Sequence, residues 1–398
     1  MSNSFTVTTH TSWFTRIKNS VLGVLFGLIL VVATVIGLFW NEGRAVQTAR
    51  SLTEGAGVVV SVKADGVDPA NDGKLIHVTG DTTTTSTPSD TMFGISTPGI
   101  RLVRNVEMYQ WKETSKSETQ DKVGGGQETV TTYTYSKEWS DDPQDSSDFK
   151  QPAGHENPPM EIRTQRFQVE DAKLGAFTLS ENVISMIGGE KQLTVSPSQT
   201  EAIDAAYQGN KRVTVAENRI YLGFNSTSPA VGDYRISYEV APTGATSIIG
   251  KQANGGFEHY QTKAGDALLM VDAGTVSAEQ MFADAQSANV VITWILRAVG
   301  LIVAIIGFSL IMAPLSVLAA VIPPLGRLVG FGTGIVAFVL GIVLTSVTIA
   351  VAWFWYRPIV SLIVIVVGFA IAYGIIWLGR SRQKAAGAVP TAAAAPAA

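Results

Sequence analysis

Four uncharged apolar runs bracket a polar middle: Asn19–Asn41 (23 residues), Ala298–Gly326 (29), Leu328–Tyr356 (29) and Pro358–Gly379 (22). A helix that crosses the hydrocarbon core of a bilayer needs about 20 apolar residues, so each run predicts one spanning helix. Buried core helices of a water-soluble domain fail as an alternative on both length and number. The first run is not a cleaved leader: its apolar part, Val21–Trp40, outruns the short hydrophobic stretch of a signal peptide, and no small-residue cleavage site follows. It reads as an uncleaved anchor. Pro314, Pro323 and Pro324 break the end of the second run, which predicts a bent or interfacial turn there.

Between the first and second runs the pattern changes to strand grammar. Residues Val58–Val62, Leu75–Val78, Ile100–Trp111, Thr129–Trp139, Arg212–Leu222, Tyr234–Val240 and Leu268–Val271 alternate or cluster β-branched and aromatic side chains between Gly, Pro, Asp and Asn turns. Val106–Lys112 and Val130–Trp139 flank Lys122-Val-Gly-Gly-Gly126 and predict a long hairpin rich in Tyr and Trp. Helices are expected at Leu179–Ile187, Ser198–Tyr207 and Ala278–Asn289. Ser277 with Gln280 forms a capping-box pattern for the last of these, whose Met281, Phe282, Ala285 and Ala288 share one face, expected at the membrane surface. Gly73–Gly80 and Asn218–Phe224, each followed by a Ser/Thr/Pro stretch, echo one another, so two related β subdomains and chance similarity both stand as readings.

Charge sharpens the division. All 33 acidic residues fall between Glu42 and Asp284, against 21 of the 29 basic ones, a net −12 for that interval. The other cations, among them Arg16, Lys18, Arg327, Arg380, Arg382 and Lys384, flank the apolar runs without acidic neighbours. With both termini in the cytoplasm those six lie inside and Arg357 alone lies in a tight outer loop, as the positive-inside rule requires. The middle segment is then extracytoplasmic: periplasmic in a bacterium, luminal in the endoplasmic reticulum or nuclear envelope of a eukaryote. Trp294, Arg297, Trp355 and Arg357 are the expected interface anchors, with Arg297 reaching lipid phosphate.

Chemistry is sparse. There is no cysteine, the four histidines have no metal-ligand spacing, and no nucleophile elbow, phosphate loop or dinucleotide fingerprint occurs. Asp141, Asp142, Asp145 and Asp148 lack the spacing and glycine of a calcium loop and read as a solvated acidic loop. The spanning runs hold no Asp or Glu, which counts against a proton- or ion-coupled carrier, though a pore lined by Ser, Thr and Gly stays open. Small residues recur at helical spacing, including Gly23 and Gly27, and Gly330, Gly334 and Gly341; packing within one bundle and association between subunits explain them equally.

Several stretches together resemble a known family. Trp40-Asn-Glu-Gly-Arg-Ala-Val46 and Ser51-Leu-Thr-Glu-Gly55 lie after the first run. Val106-Glu-Met-Tyr-Gln-Trp-Lys-Glu113, Tyr133-Thr-Tyr-Ser-Lys-Glu-Trp139, His155-Glu-Asn-Pro158 and Thr293-Trp-Ile-Leu-Arg297 follow. With the one-plus-three helix plan, these resemble the LUMA (transmembrane protein 43) family, and the Ala/Pro-rich tail from Ala385 points to a bacterial member. The resemblance implies a membrane-anchored, self-associating organiser and not an enzyme, and it also implies a link to channel or junction activity. No catalytic residues come with it.

The expected fold is thus an α+β membrane protein. Residues 1–18 form a cytoplasmic N-terminus and 19–41 the first span. Residues 42–276 form the β-rich domain, 277–289 an amphipathic helix, 290–379 three further spans and 380–398 a disordered tail. Asn41, Glu42, Gly43 and Arg44 are expected to cap the first helix and dock the domain, with Glu42 and Arg44 as neighbours in charge. The expected function is a homo-oligomeric scaffold, with a channel subunit second and an envelope enzyme third. Tyr109, Trp111, Tyr133, Tyr135 and Trp139, or the glycine stripe, are the candidate self-association surfaces. Lipids and further copies are the expected partners; nucleic acid, cofactors and metals are not, and protein partners are not legible.

Overall fold

The structure is a computed structural model that describes residues 4–364, 366–367 and 373. Its contacts divide the chain into two compact units. One gathers the described residues up to Ser20, Gln47–Val290 and Leu315–Val329; the other gathers Val21–Val46, Val291–Pro314 and the described residues from Gly330 onward. Among the described residues, three helices are long and apolar enough to cross a membrane: α1 (Trp13–Val58), α2 (Ala278–Ala319) and α3 (Pro323–Tyr356). The fourth expected span falls mostly outside the described residues, although 358–364 are helical.

Each helix exceeds its apolar run. α1 starts at Ser12, whose hydroxyl accepts from the Thr15 N–H at 3.3 Å, and continues past Asn41 to Val58. Its last turns are amphipathic, and Leu52 packs with Leu75, Ile249, Leu268, Met281 and Phe282. The helix expected at 277–289 is not separate: α2 runs unbroken from its Ser277 cap, which accepts from the Gln280 N–H at 3.2 Å. The Gln280 side chain bonds Asp284 and does not reach back to close the box. Met281 and Phe282 lie in the domain core, while Ala288 is exposed. Pro314 is accommodated inside α2, and the break falls at 320–322.

Two large sheets and two small two-stranded ones build the middle domain. In chain order the main strands are β1 (Ser4–Thr11), β2 (Leu75–Thr83), β3 (Arg101–Asp121), β4 (Gln127–Ser140), β5 (Val213–Ala216), β6 (Arg219–Leu222), β7 (Tyr234–Ala241), β8 (Gly244–Ala253) and β9 (Met270–Ala273). The first sheet has the order β1-β4-β3-β7-β6-β5. The stretch expected as one strand at Arg212–Leu222 is two, because Glu217 and Asn218 adopt φ of 52° and 62° and turn the chain between β5 and β6. The second sheet centres on β2 and β8, paired antiparallel from Leu75↔Lys251 to Thr82↔Gly244, with β9 on the far edge of β8. The echoing segments at Gly73 and Asn218 enter different sheets. Each large sheet has its own core, one around Phe93, Val106, Ile236 and Tyr238, the other around Ile76, Val78, Phe177 and Ile248.

The N-terminal segment, expected at residues 1–18 with no strand of its own, carries one. Its Phe5 and Val7, set among threonines, are themselves strand grammar, and β1 pairs with β4 from Ser4↔Thr134 to Thr11↔Gln127. The β3–β4 hairpin also runs ten residues further than the expected first strand, turning at Gly124 and Gly125, whose φ are 87° and 81°.

Candidate functional site

The motif Asn41-Glu42-Gly43-Arg44 lies on α1, and its partners come from α2 and α3. Glu42 is 1% exposed. Its Oε1 accepts from Arg297 Nε at 2.6 Å and its Oε2 from Arg297 Nη2 at 2.8 Å, a two-pronged ion pair. Trp353 Nε1 donates to the same Oε2 at 2.8 Å. The carboxylate thus holds three donors from two other helices. The Arg297 guanidinium is flanked by the Trp294 ring at 4.7 Å and the Trp353 ring at 5.7 Å, so its faces meet aromatic quadrupoles. A neighbouring set completes the junction. Arg44 Nη2 donates to Asn41 Oδ1 at 3.2 Å and to Thr293 Oγ1 at 3.0 Å, and Asn41 Nδ2 donates to the Thr293 carbonyl at 3.3 Å.

Two expectations change here. Glu42 pairs with Arg297, not Arg44, because residues two apart on a helix point about 200° away from one another. Arg297 is not an anchor reaching lipid phosphate: its side chain is 13% exposed and bound to Glu42. Trp294 and Trp355 do present their rings outward, at 63% and 72% exposure. The Arg357 N–H continues α3 by donating to the Trp353 carbonyl at 2.7 Å. The residues that sequence reasoning missed are Thr293 and Trp353. Trp353 supplies a donor that the buried Glu42 carboxylate needs, and Thr293 supplies acceptors for Arg44 and Asn41.

The helices approach closely through glycine. A Cβ on Gly27 would lie 2.6 Å from the Gly307 carbonyl oxygen, and one on Gly341 would lie 2.7 Å from the Ile305 side chain. Those two therefore pack within the bundle, whereas nothing lies within 4 Å of a Cβ on Gly334. The Gly330 carbonyl accepts from the Thr333 hydroxyl at 3.0 Å.

On the hairpin, opposed residues share parity (Tyr109↔Trp139, Trp111↔Lys137, Ser115↔Tyr133), so Tyr109, Trp111, Tyr133, Tyr135 and Trp139 all occupy one face. That face is largely covered within the chain. The His155 ring stacks on Tyr135 at 4.0 Å and meets Trp111 edge-on at 4.7 Å, and Arg235 lies 4.8 Å from the Trp139 ring. Asn157 fastens this loop to β3: its Oδ1 accepts from the Trp111 N–H at 2.7 Å, and its Nδ2 donates to the Trp111 carbonyl at 2.9 Å. Tyr135 is 2% exposed, which removes it as a self-association contact. Among the described residues no cluster of His, Asp and Glu could hold a metal.

Apolar helices tied by a buried ion pair, with a β-rich domain between the first and second, define a multi-pass integral membrane protein of the α+β class. Residues 108–358 match the family described as Transmembrane protein 43. The chain is 33% identical to mouse Transmembrane protein 43 over 358 residues, covering 86% of this chain and 87% of that protein. The human protein is 32% identical over 363 residues, 88% of each chain. The Drosophila melanogaster homolog is 28% identical over 369 residues, 90% of this chain and 94% of its own. The chain therefore belongs to the Transmembrane protein 43 family. No solved structure matches it.

Proposed function

We propose that this protein is a homo-oligomeric, non-catalytic scaffold of the membrane it occupies, a bacterial plasma membrane with the core of the middle domain outside the cytoplasm. The observation that carries the reading is the junction at Glu42. Glu42 of α1 and Arg297 of α2 bind one another and Trp353 of α3 donates to the same carboxylate, an arrangement that fastens a bundle. Beside Asn41, the groove lined by Thr34, Gly37, Leu296 and Gly300 is almost wholly apolar and suits lipid tails better than a polar ligand. A channel subunit is the second reading, favoured by the charged strands of the β3–β4 hairpin, which reach the segment before the first apolar run.

The test is reconstitution of the purified protein in liposomes, with its mass in detergent measured by light scattering. A defined oligomer that holds an imposed ion gradient supports the scaffold. An oligomer that dissipates the gradient moves the function to the channel, and a monomer defeats both.

A further inference from the structure

The middle segment grips α1 beyond both ends of its apolar run. Before the run, Arg16 Nη1 donates to the Gly125 carbonyl at 2.7 Å and pairs with Asp121 at 3.0 Å, both at the hairpin tip. After the run, Gln47 Nε2 donates to Asp266 at 2.6 Å, and Ser51 and Thr262 share a hydrogen bond of 2.9 Å. Residues 19–41 cross the bilayer once in the reading above, so Arg16 and Gln47 lie at opposite faces. A segment bonded to both must itself reach from one face to the other.

The β1–β4–β3 arm has the length for this. From Tyr109, whose N–H is tied to the Asp233 carbonyl in the domain core, to Asp121 is 12 residues. At about 3.4 Å per residue that is ~41 Å, close to the roughly 40–45 Å of a bilayer with its headgroups. Arg16 to Gln47 is 31 residues of helix, or ~46 Å at about 1.5 Å per residue.

A sheet at that depth cannot leave its backbone edges in lipid. Yet among the described residues no strand pairs with the outer edge of β1, nor with the edge of β3 beyond Trp111 that faces away from β4. These two edges lie on opposite sides of one sheet and run parallel, since each strand is antiparallel to β4. One edge is therefore the complement of the other on the next copy, a head-to-tail contact that gives a ring where the rotation between copies closes. The side chains agree with such a wall. Rows Phe5/Tyr133/Ser115, Val7/Thr131/Ser117 and Thr9/Thr129/Thr119 form an uncharged band, with Glu113 and Asp121 at its two ends, while Lys116, Glu118, His10 and Glu128 share the other face.

We propose that the β1–β4–β3 arm crosses the bilayer, and that β1 of one copy pairs edge to edge with β3 of the next to close a ring with its charged face inward. The inference rests on the homo-oligomer reading. Cysteines at Thr8 and Glu118 stand two strands apart within one copy, ~10 Å and beyond the roughly 7 Å reach of a disulfide. Oxidation of membranes holding Thr8→Cys combined in turn with Lys116→Cys, Glu118→Cys or Gln120→Cys is expected to give a ladder of covalent oligomers in at least one combination and none in the single variants. Monomers in all three, from protein that light scattering shows to be oligomeric, overturn the strand interface and leave the oligomer standing; monomeric protein overturns both. In sealed vesicles, Val123→Cys at the exposed tip and Ser147→Cys beside the domain core are expected to react with an impermeant maleimide from opposite sides. Labelling of both from one side shows that the arm does not cross.

Discussion

Glu42 and Arg297, 255 residues apart in the chain, share two hydrogen bonds of 2.6 and 2.8 Å and bury nearly all of both charges. Removing either partner strands the other at a site that has lost its water, whereas a carboxylate and guanidinium held together with Trp353 are mutually satisfied. The pair therefore specifies which helix ends meet.

Close approach of α1 and α2 gives a second expectation. Gly27→Val places methyl groups against the Gly307 carbonyl and is expected to lower stability in detergent by about 1–3 kcal/mol, as overpacking does. A Cβ on Gly334 meets nothing within 4 Å, and Gly334→Val is expected to change the melting temperature far less than Gly27→Val. Equal melting of both variants with the parent would mean that the helices do not cross at Gly27.

Much of this was legible from pattern. The apolar runs announce α1, α2 and α3 because bilayer thickness sets a minimum length, and the Gly124–Gly125 turn announces the hairpin. Their full extents were not. Amphipathic turns such as that of Leu52 look polar when averaged and become helical by packing on the domain. β1 was hidden because Phe5 and Val7 are short signals until β4 supplies the partner. The Glu42–Arg297 pair was hidden by sequence distance, although a carboxylate ending one run and an arginine opening the next are natural partners once the runs alternate in direction.

The loop over the aromatic face depends on Asn157, which bonds both the N–H and the carbonyl of Trp111. Asn157→Ala is expected to cost about 1–3 kcal/mol and to expose tryptophan, seen as a red shift of fluorescence and faster proteolysis near residues 141–157. An unchanged spectrum and digestion pattern would show that the ring contacts of His155 hold the loop without it.

Tyr238 is completely buried and donates to Asp90 at 2.8 Å, beside the Arg104 guanidinium. Burial, reinforced by the Asp90 charge, raises its phenol well above the usual range. A folded value above the unfolded one means that the stabilisation is intact below about pH 10 and declines as pH rises beyond it. An alkaline titration followed by phenolate absorbance is expected to show a late cooperative step as the domain unfolds, with Tyr238→Phe removing one tyrosine from it. Ionisation of every tyrosine in one early step near pH 10, without unfolding, would contradict the buried site.

The junction itself is tested by a double-mutant cycle on Glu42→Gln and Arg297→Gln, read as unfolding free energy of the purified protein in detergent. Each single change is expected to cost about 3–5 kcal/mol, because it leaves a buried charge without its partner. The double variant is expected to cost clearly less than their sum, with a coupling of about 2 kcal/mol or more. Additive losses, or singles that melt with the parent, would contradict an ion pair that fastens α1 to α2.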